Sequence, residues 1–132
     1  MIRIGIGQDQ HQLILGRPLI IGGVQIEHPT GLAGHSDADV LTHAVIDALL
    51  GSLALGTIGE HFPDSDERWA GVCSLELLAA TRELIERAGL EVANVDSVIT
   101  AQAPRLQPHL AAMSNRLAGQ LALAPTQVSV KA

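Results

Sequence analysis

A chain of 132 residues, 47% of them hydrophobic and 17% charged, is long enough to bury the core of one folded domain, which excludes a disordered protein. Its formal net charge of −6, with Lys131 as the sole lysine, leaves no basic surface of the kind that binds nucleic acid. The N-terminus lacks a signal-peptide pattern and no apolar run approaches about 18 residues, so we predict a cytoplasmic protein that does not enter a membrane.

The first predicted elements are short strands. Apolar and other residues alternate over residues 2–6, as in a strand with one buried face. Two further strands, Leu19–Ile21 and Val24–Ile26, flank Gly22–Gly23, a pair that favours a tight hairpin turn. Residues 27–38 carry no strand pattern, and we predict a loop there.

A helix is predicted from an N-cap at Ser36 to about Leu53. It is apolar on nearly every side, which is typical of a buried helix. Its polar exceptions are Asp39 at the third helical position, His43 and Asp47, which recur every four residues and therefore share one face. The sequence thus places an imidazole between two carboxylates on a buried helix.

The second half of the chain begins with a loop rich in glycine, proline and aspartate over residues 56–66. A second helix follows, capped by Ser74 and ended by Gly89. Cys73, the only cysteine, precedes that helix, and we expect a reduced, buried thiol. The remaining predicted elements are a strand over residues 94–100, a helix from Pro108 and a strand from Val128.

This order of elements predicts the fold class α/β, an α+β sandwich in which a mixed β-sheet carries helices packed on one face. No linker or internal repeat divides the chain, so residues 1–132 are predicted to form a single domain.

Two histidines and one carboxylate are candidate metal ligands. Asp9 and His11 stand two residues apart just past the first predicted strand, so their side chains project to one side. His43 needs a polar partner inside its apolar helix, and two histidines with one carboxylate form a zinc set that leaves a fourth position open. Asp47, one turn beyond, could orient the His43 ring. The alternative is a hydrogen-bonded core histidine without a metal.

A candidate anion site lies at residues 34–37, just before the predicted helix N-terminus, where His35 and Ser36 could contact a phosphate. Simple capping by Ser36 is the alternative.

The loop at 61–66 offers one aromatic ring and two carboxylates to a sugar or a metal, although a solvated turn explains it equally well. There is no G-x-x-x-x-G-K-[ST] motif and no G-x-S-x-G motif, which excludes a P-loop and a nucleophile elbow.

Taken together, these segments resemble the 2-C-methyl-D-erythritol 2,4-cyclodiphosphate synthase family over essentially the whole chain. The motifs that carry the resemblance are G-x-D-x-H at Gly7 to His11, Ile20 to Val24, Ala33 to Val40 followed by His43, Asp47 to Gly51, Ile58 to Asp66, Asn94 to Asp96, Ala101 to Pro104 and Val128 to Ala132. Their common order and spacing make the match specific.

The resemblance implies a homotrimeric bacterial enzyme of the non-mevalonate isoprenoid pathway, with active sites between subunits. Its reaction would be that of a phosphorus–oxygen lyase, the metal-dependent cyclisation of 4-diphosphocytidyl-2-C-methyl-D-erythritol 2-phosphate to 2-C-methyl-D-erythritol 2,4-cyclodiphosphate with release of CMP. One Zn²⁺ per subunit would be held by Asp9, His11 and His43. A second divalent ion, Mg²⁺ or Mn²⁺, would lie at the diphosphate, and His35 would be the catalytic residue that stabilises the transition state.

The resemblance also implies a set of substrate contacts. Those near the metal are Asp9, Gln10, His11, His35, Ser36, Thr57, Ile58, Gly59, Phe62, Pro63, Asp64, Ser65 and Asp66. Those expected to receive the cytidine are Ala101, Gln102, Ala103, Pro104, Arg105, Leu106 and Gln107.

Three departures from the family pattern bear on activity. Thr57 stands where the family usually has aspartate, Arg105 replaces the commoner lysine, and the family continues beyond Ala132, so we expect a C-terminal segment after this residue. Two alternatives stay open: a non-catalytic zinc- and nucleotide-binding relative, and a metal phosphohydrolase, which would release inorganic phosphate in place of CMP.

Overall fold

The computed structural model describes residues 1–132 and contains six short strands and four α-helices. The strands are β1 (Leu13–Leu15), β2 (Leu19–Ile21), β3 (Val24–Ile26), β4 (Thr30–Leu32), β5 (Val95–Val98) and β6 (Val128–Lys131). The helices are α1 (Val40–Ser52), α2 (Ile58–His61), α3 (Ser74–Arg87) and α4 (Leu110–Leu121). Single 3₁₀ turns lie at Glu67–Trp69, Gln107–His109 and Pro125–Gln127.

The strands form three two-stranded sheets, which makes the fold a mixture of α and β structure, as predicted, but without one continuous sheet. β1 pairs with β4 and β2 with β3, both antiparallel, whereas β5 and β6 are parallel. The predicted hairpin is confirmed, and its turn residues Gly22 and Gly23 have φ values of 59° and 73°, which glycine adopts without strain. The loop prediction for residues 27–38 was wrong over β4, because Thr30–Leu32 pairs with β1.

The first twelve residues form no strand, so the strand predicted over residues 2–6 was wrong. No strand pairs with them, and Ile2, Ile4 and Ile6 are 90%, 88% and 84% exposed. Their backbone instead lies on α1, so closely that a Cβ on Gly5 or Gly7 would overlap the carbonyl oxygen of a residue in that helix. These two glycines therefore allow the N-terminal segment to reach the helix that carries His43.

Helix α1 begins three residues later than predicted, because its N-cap is Asp39 and not Ser36. The Asp39 carboxylate accepts hydrogen bonds from the backbone of Thr42 at 3.0 Å and from Gly22 and Gly23 at 2.8 and 2.7 Å. Burial raises the pKa of Asp39 in spite of these hydrogen bonds. One buried carboxylate thus fixes the start of α1 against the β2–β3 hairpin.

The core lies where α1, α3 and α4 pack in succession and α4 contacts β6. Residues with no exposed surface come from each of these three helices, among them Ile46, Leu78 and Leu117. Helix α4 begins at Leu110, after a 3₁₀ turn that contains Pro108. None of the helices has the length and apolar character needed to span a bilayer.

Helix α3 differs from the prediction at its N-terminus. Its N-cap position is occupied by Cys73, whereas Ser74 is the first helical residue and is completely buried. Cys73 is exposed, which corrects the prediction of a buried thiol. The Ser74 side chain is consequently available for a different contact.

Candidate metal centre

Asp9, His11 and His43 come together although Asp9 and His43 are far apart in the sequence. Each offers one ligand atom, and the three atoms lie within 4.8 Å of one another. The Asp9 carboxylate oxygen Oδ2 is 2.7 Å from Nε2 of His11 and 3.3 Å from Nδ1 of His43. The close approach of the N-terminal segment to α1 produces this arrangement.

The other nitrogen of the His11 ring is fixed by the backbone. Its Nδ1 lies 2.6 Å from the carbonyl oxygen of Ala33, which can only accept a hydrogen bond, so Nδ1 carries the proton. The remaining nitrogen, Nε2, then presents a lone pair toward Asp9. Gly34 makes room for this ring, because a Cβ at that position would lie 2.8 Å from Nδ1 of His11.

The His43 ring is held by a residue that the sequence did not single out. Its Nε2 lies 2.8 Å from the Ser74 hydroxyl, and that hydroxyl in turn donates to the Asp37 carboxylate. Asp47, which was expected to orient His43, accepts a hydrogen bond from the backbone N–H of Ile58 at 2.8 Å. The expected role of Asp47 is therefore corrected: this side chain fixes the start of α2.

The donor set fits a divalent cation. Two imidazole nitrogens face one carboxylate oxygen while their opposite nitrogens already have hydrogen-bond partners. A cation between these atoms would be bound by a ring-nitrogen lone pair of each histidine and by the carboxylate oxygen. Two histidines and one carboxylate suit zinc, with one position open for a ligand.

The ligand atoms open into a cavity of about 260 Å³. Eight of the predicted substrate residues line it: Asp9, His11, His35, Ser36, Ile58, Gly59, Phe62 and Asp64. The His35 side chain is 76% exposed, and its Nε2 lies 3.6 Å from the Asp64 carboxylate. The structure therefore brings the exposed imidazole of His35 and the metal ligands to the same cavity.

The loop that carries His35 and Ser36 has a defined shape. Ser36 and Ala38 adopt left-handed backbone angles, with φ of 53° and 54°. The Arg17 guanidinium holds this loop by donating to the backbone oxygen of Gly34 at 2.8 Å and of Ser36 at 3.2 Å. A positive charge thus lies behind the two predicted phosphate contacts.

Other predicted contacts do not line this cavity. Among the contacts predicted near the metal, those that do not line it are Gln10, Thr57, Pro63, Ser65 and Asp66. None of the predicted cytidine contacts, residues 101–107, lines it. Asp66 is instead paired with Arg68 at 2.7 Å, an ion pair that lowers the pKa of the carboxyl. The predicted cytidine segment lies apart from the metal within one chain.

The cavity also contains Trp69, which sequence reasoning missed. Its indole ring stacks edge-on against Phe62, with ring centroids 5.0 Å apart, and the Arg68 guanidinium lies 5.6 Å from the ring centre. Trp69 and Phe62 are the only aromatic residues in the sequence. Phe62 lies in the Gly/Pro/Asp-rich loop and Trp69 follows it by a few residues, and this spacing was the available signal.

Comparison with known proteins gives consistent matches. The model of the YgbB family matches residues 2–132. The chain is 57% identical over 131 residues to the 2-C-methyl-D-erythritol 2,4-cyclodiphosphate synthase of a Cyanothece species, covering 99% of this chain and 81% of that protein. It is also 57% identical over 130 residues to the synthase of Synechococcus elongatus, covering 98% of this chain and 81% of the relative.

Solved structures agree with the sequence relatives. A 2-C-methyl-D-erythritol 2,4-cyclodiphosphate synthase in a CDP-bound form superposes with a TM-score of 0.93 at 39% identity, over 98% of this chain and 86% of that one. The bifunctional IspDF of Campylobacter jejuni superposes with a TM-score of 0.92 at 40% identity, over 98% of this chain and 35% of that one.

Proposed function

This chain belongs to the YgbB family, that of the 2-C-methyl-D-erythritol 2,4-cyclodiphosphate synthases, and from this premise we propose that it catalyses their cyclisation with residues 1–132 as a single catalytic domain. The substrate would be 4-diphosphocytidyl-2-C-methyl-D-erythritol 2-phosphate. An oxygen of its 2-phosphate bonds to the β-phosphorus while the bond from that phosphorus to CMP breaks, and CMP leaves. The observation that carries the proposal is the convergence of Asp9, His11 and His43 at the cavity.

Zinc is the proposed metal, with one ion per subunit on Asp9, His11 and His43. Support comes from the donor set, in which two imidazole nitrogens face one carboxylate. When bound, zinc supplies Lewis-acid polarisation of a phosphoryl oxygen. The Ala33 carbonyl and the Ser74 hydroxyl hold the opposite nitrogens of the two rings, so the ligand nitrogens are directed at one point.

Positive charge is otherwise scarce at the cavity. None of its lining residues is lysine or arginine, and Asp9, Asp47 and Asp64 are acidic. A diphosphate would meet repulsion there, which supports the proposal that a second divalent ion, Mg²⁺ or Mn²⁺, accompanies it.

Positioning is the main task left for the protein, because the attacking oxygen already belongs to the substrate. We assign His35 to donate a hydrogen bond to the phosphate region as charge develops, since its exposed side chain borders the cavity. Ser36 presents its hydroxyl from the adjacent position of the same loop. The Arg17 guanidinium keeps that loop in place from the opposite side.

A homotrimer is proposed, with each site completed by a neighbouring subunit. It is supported by the position of residues 101–107, which do not line the cavity of their own chain although the related CDP-bound synthase has the same fold. These residues are mostly exposed and therefore free to receive the cytidine of a substrate held by another copy. A cytoplasmic location stays a prediction.

The test is CMP release from the purified protein, with Zn²⁺ and Mg²⁺ present and then with a chelator. CMP that appears only with metal, without inorganic phosphate, would establish the cyclase and show that Thr57 is tolerated. Inorganic phosphate would favour a phosphohydrolase, and zinc binding without either product would favour the non-catalytic relative. His43→Ala should abolish zinc binding and turnover together, so a variant that kept full zinc occupancy would refute the ligand assignment.

A further inference from the structure

We propose that Ser74 and Asp37 form a positioning pair that holds the ring proton of His43 on Nε2 and leaves Nδ1 free to bind the metal. The inference rests on the metal site of the proposed function, although not on the reaction itself. The pair links the start of α3 to α1 through contacts that neither the ligand motif nor the helical spacing of His43 reveals.

The direction of each hydrogen bond follows from the chemistry of the partners. The Asp37 carboxylate can only accept, and it accepts from both the backbone N–H and the hydroxyl of Ser74. The hydroxyl has a single proton, which is therefore committed to Asp37. Toward His43, 2.8 Å away, Ser74 can only accept, so Nε2 of His43 must carry the ring proton. The lone pair of a neutral His43 is then on Nδ1, the atom that faces Asp9.

Asp9 favours the opposite tautomer when no metal is bound. Its Oδ2 lies 3.3 Å from Nδ1 of His43 and would accept a proton carried there. A ring protonated on Nδ1 cannot bind a cation through that atom, so metal binding would first require the proton to move. The Ser74–Asp37 pair opposes this and keeps the ligand nitrogen free.

Burial leaves His43 few other partners. Ser74 has no exposed surface, and the His43 side chain is only 14% exposed. Asp47, on the same helical face, is engaged by the Ile58 N–H. Water therefore has little access with which to replace the Ser74 hydroxyl, and its removal would take away the acceptor that Nε2 has in this structure.

Asp37 extends this influence to the phosphate loop. It lies between Ser36 and Ala38, both in left-handed conformations, and accepts the N–H of Asp39 at 3.2 Å. The same carboxylate that orients the metal ligand thus also holds the loop carrying His35 and Ser36. Its loss should affect both features, whereas loss of Ser74 should affect the metal ligand alone.

The test uses Ser74→Ala, with Thr81→Val as the matched control. Thr81 is another fully buried hydroxyl of α3, and it donates to the Leu77 carbonyl away from the metal. Zinc affinity is measured by competition with a chromogenic chelator. The tautomer of His43 is read from ¹⁵N NMR of the metal-free protein, at a pH above the usual titration range of imidazole.

We expect Nε2–H in the wild-type protein and in Thr81→Val, and Nδ1–H in Ser74→Ala. Zinc affinity should fall roughly 10- to 100-fold in Ser74→Ala, as is usual when the partner of a ligating histidine is removed, and stay unchanged in the control. Unchanged affinity and tautomer in Ser74→Ala would overturn the proposal, as would an equal loss in both variants.

Asp37→Ala is the second variant if Ser74→Ala does not fold. It removes the carboxylate that accepts the Ser74 hydroxyl proton, which frees that hydroxyl to donate to His43, so Nδ1–H should again appear and zinc affinity should fall. A wild-type tautomer in this variant would refute the pair. Neither readout needs turnover, so a protein that releases no CMP would still decide this inference.

Discussion

Gly7→Ala adds one methyl group at the point where the N-terminal segment crosses α1. A Cβ at Gly7 would lie 2.7 Å from the amide nitrogen of Ala48 and overlap the carbonyl oxygen of Ala44. Neither backbone atom can rotate away, so the segment itself must lift by an amount on the order of 1 Å to reach ordinary contact. Asp9 and His11 follow two and four residues later and move with it.

A shift of this size is large for a metal centre. Metal–ligand distances tolerate about 0.2 Å, and functional geometry about 0.5 Å. We therefore expect zinc affinity to fall by at least about 10- to 100-fold, as for a disturbed ligand partner. At saturating zinc this loss lowers the free energy of unfolding by about 1.4 to 2.7 kcal/mol. The free energy of unfolding of the metal-free protein should change less, because the N-terminal segment exposes its isoleucine side chains and belongs to no sheet.

Chelator competition gives the affinity, and urea denaturation with and without zinc gives the two stabilities. Gly119→Ala is the matched control, since it adds the same methyl group in α4 with nothing within 4 Å. That variant should keep its zinc affinity and gain about 0.5 to 1 kcal/mol from helix propensity. Wild-type zinc affinity in Gly7→Ala would show that the close approach of the segment to α1 does not set the ligand geometry.

Three further predictions concern single side chains. His35→Ala should keep wild-type zinc affinity but release CMP roughly 10²-fold more slowly, because one transition-state donor is lost; a parallel fall in zinc affinity would assign His35 to the metal instead. Asp39→Ala should cost about 3 kcal/mol or more in urea denaturation, since it leaves buried N–H groups of α1 and the hairpin without an acceptor; a loss under about 1 kcal/mol would contradict this. Cys73 is exposed as a residue, but desolvation of its sulfur raises the pKa of the thiol. Iodoacetamide should therefore label it more slowly at neutral pH than it labels glutathione, and the rate should rise in alkaline buffer. Labelling as fast as glutathione would refute that shift.

Local patterns predicted the elements whose signals are local. The turn at Gly22–Gly23 and the strands beside it were located correctly, because two adjacent glycines favour one turn geometry. The strand predicted over residues 2–6 was wrong. Alternation of apolar residues indicates which side chains share a face, but it does not show whether another strand lies beside the segment to pair with it. The N-cap failed for a similar reason: Ser36 and Asp39 are both good caps, and only the distant contact with the hairpin selects Asp39.

The residues of the candidate site also fall into those that local patterns suggested and those that only distant contacts reveal. Residue types and spacing made Asp9, His11 and His43 candidate ligands, and the family resemblance favoured them over a core histidine without a metal. The structure brings the three together. The contact of His43 with Ser74 joins residues 31 positions apart, and no spacing rule connects them. Asp47 was favoured in its place because helical periodicity reports neighbours on one helix only, whereas α3 supplies the actual partner.

Trp69, the only tryptophan, stacks on Phe62 beside the candidate metal centre. Its emission therefore comes entirely from one wall of the cavity, with no background from elsewhere in the chain. An incoming nucleotide would alter the polarity around the indole or quench it by contact. The protein thus carries an intrinsic optical reporter, and occupancy could be titrated in variants that no longer turn over.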